Sequence, residues 1–366
     1  MDKKPEFHGS DIEQISEYYH IPKEDIVSFG ANVNPLGLSP YVKEQLASHL
    51  DIITRYPDRN YTALKEAIGA YCHADPKHIV VGNGSTELIS LLISQRHPKK
   101  ALVIGPTYSE YARELSLVGG TMEYYNLQED RDFVLDIPEL LNELTPDTGL
   151  LVLCNPNNPT SSALTCTELE EIIRFCRDRG VFVMIDETYA EFAPEPEAVT
   201  AVSLIPEYDN FMIIRGVSKY FAAPGLRFGY GITGSKAFLD ALLLHQNPWS
   251  LSSVGAFAGE LMLRDKAYIK KTWELIDSER IRLHGELSTW DSVKVYPAYA
   301  NFILVKILRD SLTSFDVFEH AIRQGLMIRD CSSFESLDGE YIRFCIMRPE
   351  DNDRLLACLK EILGGN

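Results

Sequence analysis

The sequence predicts a layered α/β protein built on a mostly parallel sheet. The chain has 366 residues, enough for two domains or for one large α/β domain with an appendage. Short apolar runs rich in β-branched residues alternate with amphipathic stretches through the first two thirds of the chain. Strands that are apolar throughout are typical of a parallel sheet covered on both faces by crossover helices.

The predicted strands of this sheet are short and are followed by polar residues or glycine. They lie at residues 78–82, 101–105, 150–154, 181–185, 211–215 and 227–231. Amphipathic helices are expected between several of them, most clearly at 87–95 and 167–179. Because parallel strands present their carboxyl ends at one edge, the residues that follow these strands are expected to share a crevice.

The pattern changes near residue 250, where a long helical stretch begins that reaches about residue 287. A smaller α+β domain is expected beyond it, with strands at 293–296, 301–305, 326–328 and 341–346 and helices near 315–324 and 354–363. At the other end of the chain, Ser10 opens a capping-box pattern that predicts a short helix. We therefore expect an N-terminal arm (1–50), a large domain (51–250) and a small domain (251–366) that also packs with the arm.

Composition excludes several classes of protein. The 35 basic and 53 acidic residues give a net charge of −18, so the chain lacks the basic footprint that nucleic acids and anionic membranes require. No apolar run approaches the ~18–20 residues that span a bilayer. The first residues lead into no apolar segment of a secretory signal, and we expect a cytoplasmic protein.

Cysteine and histidine usage argues against disulfides and metals. The seven cysteines are an odd number without a Cys-x-x-Cys pair, which favours reduced thiols. The nine histidines show no ligand spacing such as His-Glu-x-x-His. The sequence therefore predicts no metal site.

A glycine-rich segment, Gly82-Asn-Gly-Ser-Thr-Glu87, follows a predicted strand and opens a helix. Glycines let backbone N–H groups approach an anion, and the helix N-terminus adds positive potential. The residues Gly84, Ser85 and Thr86 could therefore cradle a phosphate. A glycine-rich turn between a strand and a helix would have the same sequence, so this motif alone is weak.

Three further predicted strands are each followed by a polar residue, and the order of these residues along the chain indicates a shared function. They are Asn157, Asp186 and Lys219, and Arg227 comes shortly after the lysine. Pyridoxal phosphate needs an amine, a carboxylate that keeps its ring nitrogen protonated, donors for its phenolic oxygen, an aromatic face and a phosphate cradle. This ordered set of residues offers a candidate for each requirement.

With Gly105-Pro-Thr-Tyr108 and Ser218-Lys219, the ordered set resembles the fold-type I pyridoxal-phosphate enzymes. The resemblance covers nearly the whole chain and is to the aspartate-aminotransferase-like family, in the branch of threonine-phosphate decarboxylase and histidinol-phosphate aminotransferase. It implies that Lys219 attaches the cofactor and carries protons, that Asp186 holds the ring nitrogen and that Tyr108 stacks on the ring.

The same resemblance implies the remaining cofactor contacts. Asn157 and Tyr189 would donate hydrogen bonds to the phenolic oxygen. The cofactor phosphate would be held by Gly84, Ser85, Thr86, Ser218 and Arg227, and by Tyr56 of a neighbouring subunit, which implies an active homodimer. A buried lysine beside cationic Arg227 should also lose its proton more easily.

Two positions depart from the family pattern. Ser161 stands where the family usually has glycine after Asn-Pro-Thr. Gly216 stands where the family commonly has serine or threonine, three residues before the lysine. The second change removes one hydroxyl donor to the cofactor phosphate.

Two arginines resemble the substrate-binding residues of this branch. Arg343 matches the arginine that grips the substrate α-carboxylate, a role that suits its forked guanidinium. Arg329 sits where members with phosphorylated substrates place a second arginine, although an exposed charge at a strand end is an equal alternative. His8 would help to hold the substrate phosphate across the dimer, unless it is merely a solvated residue of the terminus. Asn34 is a weaker candidate for the substrate carboxylate.

The segments Phe7-His-Gly9, 29–37, 246–250 and 328–332 favour the decarboxylase over the aminotransferase. The predicted reaction is decarboxylation of L-threonine O-3-phosphate or L-serine O-phosphate to an amino-alcohol phosphate for cobamide biosynthesis. The alternative is aminotransfer to histidinol phosphate or a related amino acid. A catalytically silent protein of the same fold is a third hypothesis, which the absence of an additional DNA-binding module and of a basic patch makes less attractive.

Overall fold

The computed structural model describes residue 7 and residues 9–364. Its helices are α1 (Ile12–Tyr19), α2 (Pro40–Ser48), α3 (Thr62–Cys72), α4 (Ser85–Arg96), α5 (Glu110–Leu117), α6 (Ile137–Glu143), α7 (Cys166–Asp178), α8 (Pro196–Val199), α9 (Lys236–His245), α10 (Ser253–Arg264), α11 (Lys266–Leu287), α12 (Ser314–Ile322) and α13 (Pro349–Leu363). Its strands are β1 (Val27–Ser28), β2 (Ile79–Gly82), β3 (Lys100–Gly105), β4 (Thr121–Asn126), β5 (Thr148–Cys154), β6 (Phe182–Asp186), β7 (Phe211–Gly216), β8 (Gly229–Ile232), β9 (Val293–Val295), β10 (Phe302–Ile307), β11 (Leu326–Met327), β12 (Arg329–Asp330) and β13 (Tyr341–Cys345).

A seven-stranded sheet forms the larger layer, in the order β2-β8-β7-β6-β5-β3-β4. Every neighbouring pair is parallel except those that involve β8, which is antiparallel to both β2 and β7. Strands β2, β3, β6, β7 and β8 are buried along their whole length, as expected for a sheet covered on both faces. The mostly parallel sheet predicted from the sequence is confirmed.

The edge strand β4 was not predicted from the sequence. Its residues Thr-Met-Glu-Tyr-Tyr-Asn alternate in exposure and carry a glutamate and an asparagine, so it lacks the continuous apolar run of the buried strands. Edge strands lie beside solvent on one side and tolerate such residues.

A second, antiparallel sheet has the order β12-β13-β10-β9. Its register places Arg329 of β12 directly opposite Arg343 of β13. The N-terminal segment joins this part of the molecule, because β1 pairs in parallel with β11 and the ring of Phe7 lies 6.1 Å from that of Phe318 on α12. Helix α1 begins at Ile12 with Asp11 at its N-cap, so Ser10 does not hold the N-cap position expected from the capping-box pattern.

The long helical stretch expected from about residue 250 to 287 consists of two helices. The chain forms α10 and α11, separated at Asp265, whose backbone leaves the helical region with ψ 75°. The Asp265 carboxylate accepts a hydrogen bond from the backbone N–H of Tyr268 and so caps α11, and it also accepts one from the Ser39 hydroxyl at 2.5 Å. Because helix-forming residues lie on both sides of Asp265, the hydrophobic periodicity of the sequence does not reveal this break.

No helix within the described part of the chain is long and apolar enough to cross a bilayer. The seven cysteines are all free thiols, and six of them are buried.

Candidate active site

The carboxyl ends of four parallel strands meet at one edge of the large sheet. Tyr108 follows β3, Asn157 follows β5, Asp186 ends β6 and Lys219 follows β7. Strand β2 runs parallel to β7, because both are antiparallel to β8, so Gly84 lies at the same edge. The topology therefore gathers the residues that the sequence separates by up to 135 positions.

The Lys219 ammonium lies inside this edge, where its Nζ donates to the carbonyl oxygen of Ala31 at 2.6 Å. Burial and, after it, the positive charge of Arg343 lower the pKa of Lys219 to about 8, while Cys345 and Asp186 oppose the shift. The neutral amine that a nucleophile requires is therefore well populated near pH 8.

Arg343 replaces Arg227 as the cation that acts on Lys219, which corrects the sequence-based expectation. The physical reason is the position of the Arg227 side chain. Arg227 is exposed, and its guanidinium lies over Gly84 rather than beside the lysine. The strand register that brings Arg343 to the site is not visible in the local sequence.

The Asp186 carboxylate is buried and held by three donors. Its Oδ1 accepts from the backbone N–H and the hydroxyl of Thr188 at 2.9 and 2.5 Å, and its Oδ2 accepts from the hydroxyl of Tyr111 at 2.6 Å. Burial raises the pKa of Asp186, while these hydrogen bonds and the charge of Lys219 lower it. The donors thus favour the ionised form that a protonated ring nitrogen would need. The sequence analysis did not identify Tyr111 as a residue of the site. Its position three residues after Tyr108, about one helical turn away, is the signal that could have identified it.

Replacing Tyr111 with phenylalanine is expected to raise the pKa of Asp186 further, because one of the donors to its carboxylate disappears while the ring still fills the space. The measurement is an infrared titration of the Asp186 carboxyl in the apoprotein, together with the dissociation constant for pyridoxal phosphate, which should rise about tenfold. Tyr208→Phe is the matched control, since the Tyr208 hydroxyl also donates to a carboxylate, that of Glu170, at 2.9 Å. Equal behaviour of the two variants would contradict this role.

The residues expected around the cofactor ring are present at the same edge. The Tyr108 ring meets that of Tyr111 edge-on, with centroids 5.6 Å apart, and burial raises the pKa of Tyr108 to about 12. The Tyr189 hydroxyl accepts from Nδ2 of Asn32 at 3.3 Å, which leaves its own hydrogen available to donate. The Asn157 Nδ2 donates to the Pro106 carbonyl and the Thr160 hydroxyl, both at 2.9 Å, so its amide must rearrange before it can donate to a ligand.

The N-terminus of α4 forms a cradle for an anion. Gly84 has φ +83°, and a Cβ there would lie 2.5 Å from Nη2 of Arg227. A Cβ at Gly229 would lie 2.5 Å from the backbone nitrogen of Ser85, so both glycines permit close approach. Within the described residues Arg227 has no carboxylate partner within 4.0 Å. The residues present fit a phosphate, which the guanidinium and the first N–H groups of α4, including those of Ser85 and Thr86, could hold. Ser218 directly precedes Lys219 in the chain.

The effect of the hydroxyl that position 216 lacks can be tested directly, because Gly216 lies beside this cradle. A Cβ at Gly216 would make ordinary contacts, 3.5 Å from the Phe228 carbonyl oxygen and 3.7 Å from Oγ of Ser85. We expect Gly216→Ser to tighten the binding of pyridoxal phosphate about tenfold, because it adds a donor beside the phosphate. Gly216→Ala fills the same space without a donor and should gain nothing. The affinities are measured by fluorescence titration of the apoproteins with pyridoxal phosphate. Equal affinities of Gly216→Ser and Gly216→Ala would contradict the assignment of this cradle to the cofactor phosphate.

Arg343 is 4% exposed and lies beside the Lys219 site. It donates to the Asn158 side-chain oxygen and to the Gly30 carbonyl, packs 5.1 Å from the ring centre of Phe302, and leaves its Nε without a partner within the described residues. A buried guanidinium with a free donor and no carboxylate is a site prepared for an anion.

Arg329, opposite Arg343 in the sheet, is 8% exposed. It donates to the Phe7 carbonyl and to the Ser333 hydroxyl, and its guanidinium lies 5.3 Å from the ring centre of Phe334. The alternative of an exposed strand-end charge is therefore wrong. Within residues 7 and 9–364, neither arginine has an ion pair with a carboxylate within 4.0 Å, although Asp330 and Asp11 lie near enough for their charges to act on Arg329.

Asn34 does not face this region. Its Nδ2 donates to the Tyr220 carbonyl at 2.7 Å and contacts the hydroxyls of Tyr268 and Thr272, while its Oδ1 caps the N–H of Leu36. Every polar atom of this side chain is used in anchoring the arm to α11, so the structure gives it a scaffold position instead of a substrate contact. Asn32, two residues earlier, contacts Tyr189 and has a buried Oδ1 without a partner among the described residues.

The remaining positions named from the sequence have different surroundings. Tyr56 is 80% exposed, and its ring packs at a tilt of 37° against that of Trp249, with ring centroids 4.8 Å apart. His8 lies outside the described residues. Ser161 has φ 61°, and its hydroxyl accepts from the backbone N–H groups of Tyr299 at 3.1 Å and Ala300 at 2.9 Å. The Ser161 hydroxyl thus links the Asn-Pro loop to the segment that enters β10. Glycine has no side chain and could not make these contacts.

Comparison with known proteins places these features in a family. The sequence model of the family "Aminotransferase class I and II" matches residues 24–359. A threonine-phosphate decarboxylase of Salmonella typhimurium is 32% identical over 98% of this chain and 97% of its own length. A histidinol-phosphate aminotransferase of Methanococcus aeolicus is 33% identical over 97% of this chain and 95% of its own length.

Solved structures agree with this assignment. The histidinol-phosphate aminotransferase of Clostridium acetobutylicum superposes with a TM-score of 0.86 at 29% identity, covering 91% of this chain and 98% of that one. The aspartate aminotransferase of Thermus thermophilus with maleate gives a TM-score of 0.84 at 19% identity, covering 98% and 97% of the two chains. The aspartate-aminotransferase-like α/β fold is confirmed, and pyridoxal 5′-phosphate is the cofactor that the family uses, as predicted from the sequence. The chain belongs to the class I and II aminotransferase family.

Proposed function

We propose that this protein decarboxylates an O-phosphorylated amino acid, L-threonine O-3-phosphate or L-serine O-phosphate. The observation that carries the proposal is the pair of buried arginines, Arg329 and Arg343, which face each other across β12 and β13 without a carboxylate partner among the described residues. Two such charges need two anionic groups on the ligand.

The two candidate substrates, a phosphorylated hydroxy amino acid and histidinol phosphate, differ in the number of anionic groups that they carry. A phosphorylated hydroxy amino acid carries a carboxylate and a phosphate on either side of its amine, so one molecule supplies a partner for Arg343 and one for Arg329. Histidinol phosphate itself carries a single anionic group, although glutamate, the amino-acid partner in such a transfer, carries two carboxylates that the same arginines could bind. Aminotransfer to histidinol phosphate or a related amino acid is the alternative, which the similarity to histidinol-phosphate aminotransferases keeps open.

The residues of this chain would divide the work as follows. Pyridoxal phosphate, when bound, supplies the electron-withdrawing ring that weakens the bonds at the substrate Cα. Lys219 loses its proton near pH 8 and can attach the cofactor or move a proton at Cα. Asp186, whose carboxylate accepts hydrogen bonds from Tyr111 and Thr188, would keep the ring nitrogen protonated. Arg343 and Arg329 fix which substrate bond stands perpendicular to the ring, and so whether carboxylate or hydrogen leaves.

A homodimer is part of the proposal. Tyr56 is exposed beside Trp249 and lines an open cavity of about 620 Å³. Ile53, in the same stretch of chain, is 66% exposed. A neighbouring copy that covers this surface would bring Tyr56 to the partner's cofactor phosphate, and His8 could act across the same interface. The product, an amino-alcohol phosphate, would suit cobamide biosynthesis.

The reaction is tested by its products. The protein loaded with pyridoxal phosphate is given O-phospho-L-threonine, O-phospho-L-serine, or histidinol phosphate with 2-oxoglutarate, and released CO₂ and glutamate are measured. We expect CO₂ from a phosphorylated amino acid and no glutamate. Glutamate without CO₂ would establish the aminotransferase instead, and neither product from any pair would revive the catalytically silent hypothesis.

A further inference from the structure

A second pocket lies away from the candidate active site, between the end of α3, the start of α11 and the segment 191–200. Its volume is about 350 Å³, within the range of small-molecule sites. Its floor is formed by the buried polar residues Glu191, Thr200 and Arg215, and its walls by Tyr71 and Tyr220. None of these residues has a place in the cofactor or substrate site proposed above, although Tyr220 directly follows Lys219.

Glu191 leaves a strong acceptor unused at the floor. It is 7% exposed; its Oε1 accepts from the Tyr71 hydroxyl at 3.1 Å, and its Oε2 is buried without a hydrogen-bond partner in the described part of the chain. Burial raises the pKa of Glu191 to about 7, against the lowering effects of Arg215 and the Tyr71 hydrogen bond. A carboxylate in this position lacks a cation of its own.

Arg215 cannot serve as that cation because its guanidinium is already engaged. Its Nε and Nη2 donate to Oε2 of Glu187 at 3.0 and 2.7 Å, Nη2 also donates to the Thr200 hydroxyl at 2.8 Å, and Nη1 contacts the sulfur of Cys72. Glu187 is fully buried and neutralises it. The charge of Glu191 is therefore the one at the floor that awaits a partner.

The rim of the pocket carries two lysines together with the exposed Glu197. Lys266 and Lys270 lie four residues apart on α11, line the pocket and are exposed. Lys270 has a weak ion pair with Glu274 at 3.6 Å, whereas Lys266 has no carboxylate within 4.0 Å among the described residues. A ligand that reaches from floor to rim would thus meet the Glu191 carboxyl at the floor, and two lysines and one glutamate at the opening.

We propose that this pocket is a second ligand site for a small zwitterion of the amino-acid class. Its protonated amine donates to Oε2 of Glu191, and its carboxylate or phosphate lies between the two rim lysines. The aromatic walls exclude water around the carbon atoms between the two charged ends.

N,N-dimethylglycine is the probe, because its protonated tertiary amine has one N–H to donate and cannot react covalently with the cofactor. 3-Methylbutanoate has the same shape and carboxylate but no amine. Ligand-observed NMR on the cofactor-loaded protein should give a dissociation constant of about 1 mM or below for N,N-dimethylglycine, and binding at least about tenfold weaker for 3-methylbutanoate.

Glu191→Gln keeps the hydrogen bond from Tyr71 but removes the charge, and it should weaken N,N-dimethylglycine at least about tenfold. Glu195→Gln is the matched control, because Glu195 is exposed and does not line the pocket. Lys266→Gln, on the exposed rim, should weaken the probe severalfold and serves also if Glu191→Gln fails to fold. Binding at the active site would be insensitive to all three substitutions. Unchanged affinity in Glu191→Gln or Lys266→Gln, equal affinity for the two probes, or no binding would overturn the proposal.

Discussion

Replacing Lys219 with alanine is expected to lower turnover by about 10³-fold or more, because the chain loses the amine that attaches the cofactor and carries the proton. Borohydride reduction of the unaltered protein loaded with pyridoxal phosphate should leave a stable label on the peptide that contains Lys219. The variant should carry no label there, and it should lose the cofactor on dialysis much faster. Peptide mapping by mass spectrometry and the rate of substrate consumption measure both effects.

The control is Lys236→Ala. Lys236 is 85% exposed at its side chain and, among the described residues, pairs only with Asp240, at 2.6 Å on the surface of α9. This variant should keep full activity and full labelling of Lys219. A label on another lysine of the unaltered protein, or near-normal turnover by Lys219→Ala, would contradict the assignment of the cofactor site.

Replacing Arg343 with glutamine should lower kcat/KM for O-phospho-L-threonine about 10²-fold or more, since a buried charge that binds an anion is removed. A second effect concerns Lys219. The positive charge of Arg343 lowers the pKa of Lys219, so its removal lets the lysine keep its proton to higher pH. The pH at which apoprotein attaches pyridoxal phosphate at half-maximal rate should rise above about 8.

Arg343→Lys separates the two effects. Lysine keeps the positive charge and should leave the pH dependence of cofactor attachment nearly unchanged, while it loses the forked geometry and much of kcat/KM. Arg354→Gln, at an exposed ion pair with Asp351, should change neither quantity. If the glutamine and lysine variants share one pH profile, Arg343 does not act on Lys219 through its charge.

Much of this site could be predicted from the sequence, because its residues follow strands that are apolar along their length. Asp186 is the last residue of such a strand and Lys219 lies three residues after another, and the common direction of parallel strands brings them to one edge. The glycine-rich start of α4 has an equally local signal, since a positive φ at Gly84 and close approach of Arg227 both require glycine.

The contacts that the sequence could not predict depend on register and on the path of irregular segments. Arg329 and Arg343 become neighbours only through the antiparallel pairing of β12 with β13. Asn32 and Asn34 lie two residues apart in a segment without regular periodicity, so the local pattern does not decide which one faces Tyr189. Tyr111 reaches Asp186 because of the orientation of α5 after β3.

The most direct measurement is a crystal structure of the cofactor-loaded protein with 3-phosphonooxybutanoate, which carries both anionic groups of O-phosphothreonine but no amine that could react. The central claim is that Arg343 and Arg329 bind the carboxylate and the phosphate of one substrate. The predicted result is a carboxylate paired with the Arg343 guanidinium and a phosphate against Arg329. A phosphate bound at Arg343, or a ligand that leaves both guanidinium groups uncontacted, would contradict it.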